Sequence, residues 1–251
     1  MPKIFLSPST QEFNPYTGEQ GGNEEYYMNL IADAMEPYLY STGIEFTRND
    51  PSGTVSDSIA QSNKDRYDLH LALHSNASPE NIAGTLKGSD FYYYTRSLES
   101  KEAAATLADN FQNIYPDPER VRIMPTTNLA ELSRTKAPAV LVEIAYHDNP
   151  EDAEFIRNNI DEIARNLVQG LAEHFGILFV TPNEGYDYSI GVVVTDEGRL
   201  NIRERPTTNS GIITQAPKGA EVRVFGKSGN WYVVEYNGEL GFAFAPYIAV
   251  K

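Results

Sequence analysis

The 251-residue chain contains no cysteine, one tryptophan and only four histidines. Without cysteine there are no disulfides and no thiolate-bound metals. Long apolar runs are missing as well. No stretch approaches the roughly 18 residues that a membrane span requires. The opening Met1-Pro2-Lys3-Ile4-Phe5-Leu6-Ser7 lacks the longer apolar region of a signal peptide and reads as a strand. Basic residues are in deficit, 20 against 35 acids for a formal charge of −15, which argues against a nucleic-acid partner. The acidity is uneven. From Tyr188 onward six acids face seven bases, so the whole negative excess lies in residues 1–187. Two electrostatic characters suggest two domains.

What is present has the pattern of an alternating fold. Residues 3–7 read as a strand. Asn23 can cap a helix whose first turn carries Glu24 and Glu25, favourably placed against the helix dipole. Met28, Ile31, Met35 and Leu39 follow at helical spacing, and Gly43 stops the run. A strand over 44–48 and a helix over 56–63 lead to the apolar segment Leu69-His70-Leu71-Ala72-Leu73-His74. A strand at 89–94, an alanine-rich helix at 101–114 and a continuous apolar strand at 139–146 come next. One last helix carries Ile156, Ile160, Ile163, Leu167 and Leu171 and ends at Gly176. This order predicts an α/β domain over 1–180, with a mixed, largely parallel sheet flanked by helices.

Residues 181–187, Thr-Pro-Asn-Glu-Gly-Tyr-Asp, are turn-rich and read as a linker. Beyond them helical spacing stops. Short strands at 190–195, 200–203, 221–226, 231–236 and 240–243 are separated by tight turns, among them Ser228-Gly229-Asn230 and Asn237-Gly238. Asn-Gly between apolar runs is a strong hairpin signal. Residues 188–251 therefore read as a small β-barrel.

The reactive side chains are few. Residues four apart on a strand share a side but lie roughly 13 Å apart. His70 and His74 therefore cannot both ligate one ion, and His74, at the strand exit, is the ligand candidate. Leu71 stands where a helical His-x-x-x-His site would carry its base. Glu143 interrupts Ala139-Val140-Leu141-Val142-Glu143-Ile144-Ala145-Tyr146, where an unpaired carboxylate is costly to bury. It must be paired (Arg48 is one partner available), metal-associated or at the mouth of a cleft. Each setting shifts a pKa in the way that acid–base catalysis uses.

Taken in order, Gly22-Asn23-Glu24, the 43–48 segment, Asp68 to Ala77, Gly84, Pro138 to Glu143 and Asn149-Pro150-Glu151-Asp152 give residues 3–176 a specific likeness. The segment resembles the zinc-dependent N-acetylmuramoyl-L-alanine amidases of the cell-wall hydrolase type. The resemblance implies that Glu24 and His74 are zinc ligands and that Glu143 is the catalytic glutamate. It implies metal-assisted cleavage of the amide between muramic acid and L-alanine in peptidoglycan. One departure stands out. The family has a histidine after its first strand, and Ser7-Pro8-Ser9-Thr10-Gln11 has Thr10 there. Gln11, Glu12, His147 or water could fill the place, or tight zinc binding could be lost. The alternative class is a non-catalytic wall binder on the same scaffold. Ser58 stands where the family often has an arginine.

The tail has a likeness of its own. Leu200-Asn201-Ile202-Arg203, Gly219, Trp231-Tyr232-Val233, Tyr236-Asn237-Gly238, Gly241-Phe242 and Pro246-Tyr247-Ile248 resemble a bacterial SH3-like domain. The resemblance implies a module that holds wall polymers, with Trp231, Tyr232, Tyr236, Phe242, Phe244 and Tyr247 able to line a groove or fill a core. The two likenesses imply an extracellular or cell-wall location, reached after trimming of a leader or by another route such as lysis.

Overall fold

The structure is a computed structural model that describes residues 1–182, 188–203, 206–228 and 230–251. Most of the expected linker, 183–187, and Gly229 of one expected turn lie outside the described residues. The chain divides into two compact units. One holds Lys3–Met35 and Phe46–His174, and the other holds Met1–Pro2, Glu36–Glu45 and Phe175–Lys251.

The first unit is built on β1 (Lys3–Pro8), α1 (Glu24–Thr42, of which the first part belongs here), β2 (Glu45–Arg48), α2 (Val55–Ser62), β3 (Leu69–Asn76) and β4 (Ser89–Tyr94). It continues through α3 (Leu98–Phe111), β5 (Val121–Thr126), α4 (Ala130–Ser133), β6 (Ala139–Tyr146), α5 (Pro150–Asn158) and α6 (Ile160–His174). The six strands form one sheet in the order β2-β1-β3-β6-β4-β5. β1 and β6 flank β3 in parallel, β4 meets β6 antiparallel, and β5 returns parallel to β4. The sheet is thus mixed and largely parallel.

Strands covered on both faces carry continuous apolar runs rather than alternating ones. β3 and β6 fit this, since every residue of β3 up to Ser75 is buried and β6 is buried except at Glu143. The C-terminal ends of β1, β3 and β6 come out on one side, the edge where α/β sheets present chemistry. The β3–β6 register also slips between His74 and Asn76, an irregularity of the sort that re-aims side chains beside sites.

Two expectations change. The single helix read across 156–171 is two helices, α5 and α6, parted at Asn159, whose backbone leaves the helical region. Its apolar spacing continues across the break because each helix buries its own apolar residues, Ile156 in α5 and Ile163, Leu167 and Leu171 in α6. β5 went unread because it is an edge strand. Its pattern, Val-Arg-Ile-Met-Pro-Thr, is buried only at Val121 and carries a proline, which an edge tolerates.

The second unit holds β7 (Ser189–Val193), β8 (Arg199–Arg203), β9 (Ile212–Pro217), β10 (Glu221–Ser228), β11 (Trp231–Tyr236), β12 (Glu239–Phe244) and β13 (Ile248–Val250). They form a seven-stranded sheet in the order β13-β7-β10-β11-β12-β8-β9, with every described pairing antiparallel. The hairpin at Asn237-Gly238 has both residues at positive φ, 53° and 85°, as a two-residue type I′ turn needs. Val193, Leu200, Ile202, Val222, Val224, Val234 and Ile248 form its core. Phe242, with Val180, Val233 and Leu240, forms a second cluster.

Candidate active site

Three loops and strand ends of the first unit converge on His74. Glu24 is the first residue of α1. Asn23 caps the helix by accepting the Tyr26 amide at 2.8 Å, and the Glu24 amide donates to Asn14 O at 3.0 Å. Gly22 precedes the cap at φ 89°, and a Cβ there would collide with the Tyr27 ring. A glycine is therefore needed to bring the chain into this turn. The turn drops Glu24 into the interior, only 1% exposed.

There Glu24 Oε1 lies 2.8 Å from His74 Nδ1, while Oε2 accepts from Asn14 Nδ2 at 2.5 Å. Gln11 Nε2 stands 3.3 Å from the same His74 nitrogen, and its Oε1 accepts from Asn14 at 3.3 Å. On the other side of the ring, His74 Nε2 meets Glu131 Oε2 at 3.1 Å. Burial opposes charging His74, but the hydrogen bonds to Glu131 and Glu24 outweigh it and hold the ring's pKa well above the ordinary histidine value. Burial likewise opposes ionising Glu24, yet the His74 ring, with Asn14 and Ser9, draws its carboxyl below the usual range.

Glu143 sits beside His74 in the β3–β6 register. Its Oε2 is buried and has no hydrogen-bond partner among the described residues. Burial pushes this carboxyl up to about 7. The His74 ring opposes the rise, and Glu24, Asp90 and Glu131 reinforce it. Of the three settings open to it, pairing with Arg48 is excluded, because Arg48 binds Asp33 and Asn29. Asp90 is its antiparallel neighbour across β4, held by a bidentate Arg122 at 2.7 and 3.0 Å.

The other sequence candidates separate. Glu12 is exposed. His147 is engaged elsewhere, with Nδ1 3.1 Å from Ser75 Oγ and 3.0 Å from Ser75 O and its ring stacked on Tyr16 at 5.5 Å. Gln11 is thus the candidate whose side chain reaches His74. Ser58 is buried and accepts from Asn49 Nδ2 at 2.9 Å.

Glu131, on the short helix α4, was missed by sequence reasoning. It is 3% exposed and binds both histidines of β3. A signal was available. His70 and His74 share one side of a buried strand, so their ring N–H groups need acceptors. Glu131 lies between Leu129-Ala130 and Leu132, a lone acid in an apolar patch ahead of β6.

Among the described residues no group of three His, Cys, Asp or Glu side chains forms that could hold a metal. Two strong donors, Glu24 and His74, do converge, and Gln11 reaches the same corner through Nε2, so its amide would have to turn for Oε1 to serve as a third. With Nε2–H given to Glu131, the raised pKa places a second proton on Nδ1 toward Glu24, and a cation would take the place of that proton. Two acceptors 2.8 Å apart fit either a shared proton or a cation.

In the second unit a cavity of about 480 Å³ is lined by Thr195, Asp196 and Arg199 together with Trp231, Phe244 and Tyr247. The three rings form a wall, with centroids 5.5 Å apart for Trp231–Phe244 and 5.7 Å for Phe244–Tyr247. Of the other aromatics considered for a groove, Phe242 is buried and Tyr232 and Tyr236 pack on the barrel core.

A mixed α/β unit with acids and a histidine at its strand exits, followed by an antiparallel β unit with an aromatic-walled pocket, defines a hydrolase-like domain with a small binding module. The family model for N-acetylmuramoyl-L-alanine amidase matches residues 11–173, and that for the bacterial SH3 domain matches residues 198–249. The chain belongs to the N-acetylmuramoyl-L-alanine amidase family. A curated relative, an endolysin of Bacillus phage SPP1, is 25% identical over 141 residues, covering 53% of this chain and 50% of the relative. The chain thus spans about half the length of that relative. Among solved structures, an N-acetylmuramoyl-L-alanine amidase from Clostridium difficile 630 is 19% identical with a TM-score of 0.59, covering 70% of this chain and 97% of that one. The amidase from Mycobacterium smegmatis gives 19%, 0.59, 70% and 97%. These structures share the fold.

Proposed function

We propose that residues 1–180 hydrolyse the amide bond between N-acetylmuramic acid and L-alanine in peptidoglycan, and that residues 188–251, joined through 181–187, hold the protein on the cell wall. The observation that carries this reading is the meeting of Glu24 Oε1 and His74 Nδ1 at 2.8 Å, beside Glu143, whose buried Oε2 has no hydrogen-bond partner among the described residues. Family membership supports the bond class, and an endolysin among the relatives accords with action outside the cell.

Glu24 and His74 would hold zinc, with the Gln11 amide oxygen or a water in the third place. Bound there, the ion would supply Lewis acidity, polarising the lactyl carbonyl and lowering the pKa of a water molecule. The chain's own residues do the rest. Asn14 holds Glu24 in place through Oε2. Glu143 takes the proton of the attacking water and delivers it to the departing L-alanine nitrogen as the C–N bond breaks. A carboxyl poised at about 7 suits both halves of that task. The wall of Trp231, Phe244 and Tyr247 offers a stacking face to a wall peptide or sugar.

The test is bound zinc, together with the release of new L-alanine amino termini from purified peptidoglycan, in wild type, Glu143→Ala and His74→Ala. Turnover in wild type with both variants inactive is expected. Other new termini would indicate a peptidase cutting within the stem. No metal and no turnover in any of the three would leave the non-catalytic wall binder.

A further inference from the structure

Glu131 spends its two oxygens separately. Oε1 accepts from Ser7 Oγ at 2.7 Å and faces His70 Nε2 at 3.1 Å, while Oε2 faces only His74 Nε2, at 3.1 Å. His70 is locked in turn, its Nδ1 3.0 Å from Ser62 Oγ and its ring stacked 5.3 Å from Phe5. A carboxylate whose sole role was to accept from His70 would have no need to aim its second oxygen at His74. The helix that carries it is only four residues long, so its placement is set by burial of its own side chains.

An acceptor at Nε2 fixes where the ring proton sits, because a neutral imidazole carries one N–H and one lone pair. With the proton on Nε2, the lone pair is on Nδ1, the nitrogen that faces Glu24 and Gln11. Metal-binding histidines commonly give their second N–H to a carboxylate in this way. We propose that Glu131 is a positioning residue that holds His74 in the Nε2–H tautomer with Nδ1 directed at Glu24, and that it thereby sets the affinity of this corner for zinc. The inference rests on the reading of Glu24 and His74 as ligands. Proximity alone does not require it, since Glu143 acts on the same ring without a hydrogen bond to it.

The test compares wild type with Glu131→Gln, a near-isosteric change. Two readouts are taken: zinc affinity by competition with a chelator, and the tautomer of His74 in the zinc-loaded protein, where the ring is neutral, from its ring ¹⁵N shifts. The variant is expected to bind zinc about 10–100-fold more weakly and to lose the single Nε2–H tautomer. A purely structural role would lower thermal stability and leave the tautomer unchanged. Wild-type zinc binding with both readouts unmoved in the variant overturns the role of Glu131 and leaves the amidase reading standing. A wild type that binds no zinc overturns the ligand reading itself, and this inference with it. Should Glu131→Gln fail to fold, Ser7→Ala, which removes the hydroxyl orienting Oε1, carries the test. A smaller loss of affinity in the same direction supports the proposal, and unchanged affinity and tautomer overturn it.

Discussion

His74 and Glu143 are register partners on adjacent parallel strands, one carrying a ring set between carboxylates and the other a carboxyl with a bare oxygen. The pairing sets the pH behaviour. A base with a pKa of about 7 is protonated, and unable to take a proton, on the acid side. The rate of peptidoglycan cleavage is therefore expected to fall as pH drops through about 7. Glu143→Gln should cost roughly 10²–10⁴-fold in turnover while zinc content is retained. Amino-terminus release measured from pH 5 to 9 checks both.

The same raised carboxyl has a sign for stability. Its folded pKa, about 7, lies above the ordinary 4.5, so between those values the folded chain holds more protons than the unfolded one. Stability contributed by this group is full below about 4.5 and declines as pH rises through 7. Glu143→Gln is thus expected to melt higher than wild type at pH 8 and to lose that advantage at pH 4. Thermal unfolding at the two pH values decides it.

Asp152 makes a different kind of contribution. Its Oδ2 accepts the Tyr146 amide at 2.9 Å and the Gly88 amide at 3.0 Å, and its Oδ1 accepts the Tyr115 hydroxyl at 2.6 Å. It joins the end of β6, the turn before β4 and the start of α5. Asp152→Ala strands three buried donors and is expected to cost about 3 kcal/mol. Urea unfolding measures it, and a loss under about 1 kcal/mol would contradict the account.

Much of this arrangement was readable from sequence, because burial writes itself as pattern. The runs Leu69–Leu73 and Ala139–Val142 announced central strands, and a glutamate inside such a run announced an unusual environment. Gly22-Asn23-Glu24 announced a helix start with an acid in its first turn. What escaped was set by tertiary contact. The break at Asn159 leaves the apolar spacing of α5 and α6 undisturbed, and β5 shows no clean alternation because only Val121 in it is buried. Glu131 shows locally only as a lone acid in an apolar patch, and its role stays hidden because its partners His70, His74 and Ser7 lie 57 to 124 positions away.

In the second unit the pocket aromatics are separable from the core aromatics. Trp231 is half-buried and shares its wall with Phe244, whereas Phe242 is inside. Trp231→Ala is expected to weaken retention on purified cell walls roughly 5–100-fold, the range of about 1–3 kcal/mol typical of an exposed aromatic anchor. The cleavage of soluble wall fragments should hold. Co-sedimentation with walls, alongside fragment hydrolysis, separates the two. Equal losses in both would place Trp231 in folding rather than in binding.

The remaining question is the third donor, and Gln11 answers to a direct test. Its amide stands 3.3 Å from His74 Nδ1, and its own backbone N–H is tied to Ser9 Oγ at 3.2 Å, so the side chain is presented from a fixed turn. An imidazole is a better zinc ligand than an amide. Gln11→His is expected to tighten zinc binding by about tenfold or more, equivalent to about 1.4 kcal/mol per tenfold. Thr10→His, at the position where the family pattern places its histidine, should do less, because Gln11 is the residue whose side chain reaches the His74 nitrogen. Chelator competition on the two variants ranks them. Tighter binding by Thr10→His than by Gln11→His would mean that the turn after β1 presents position 10, and not 11, to the metal.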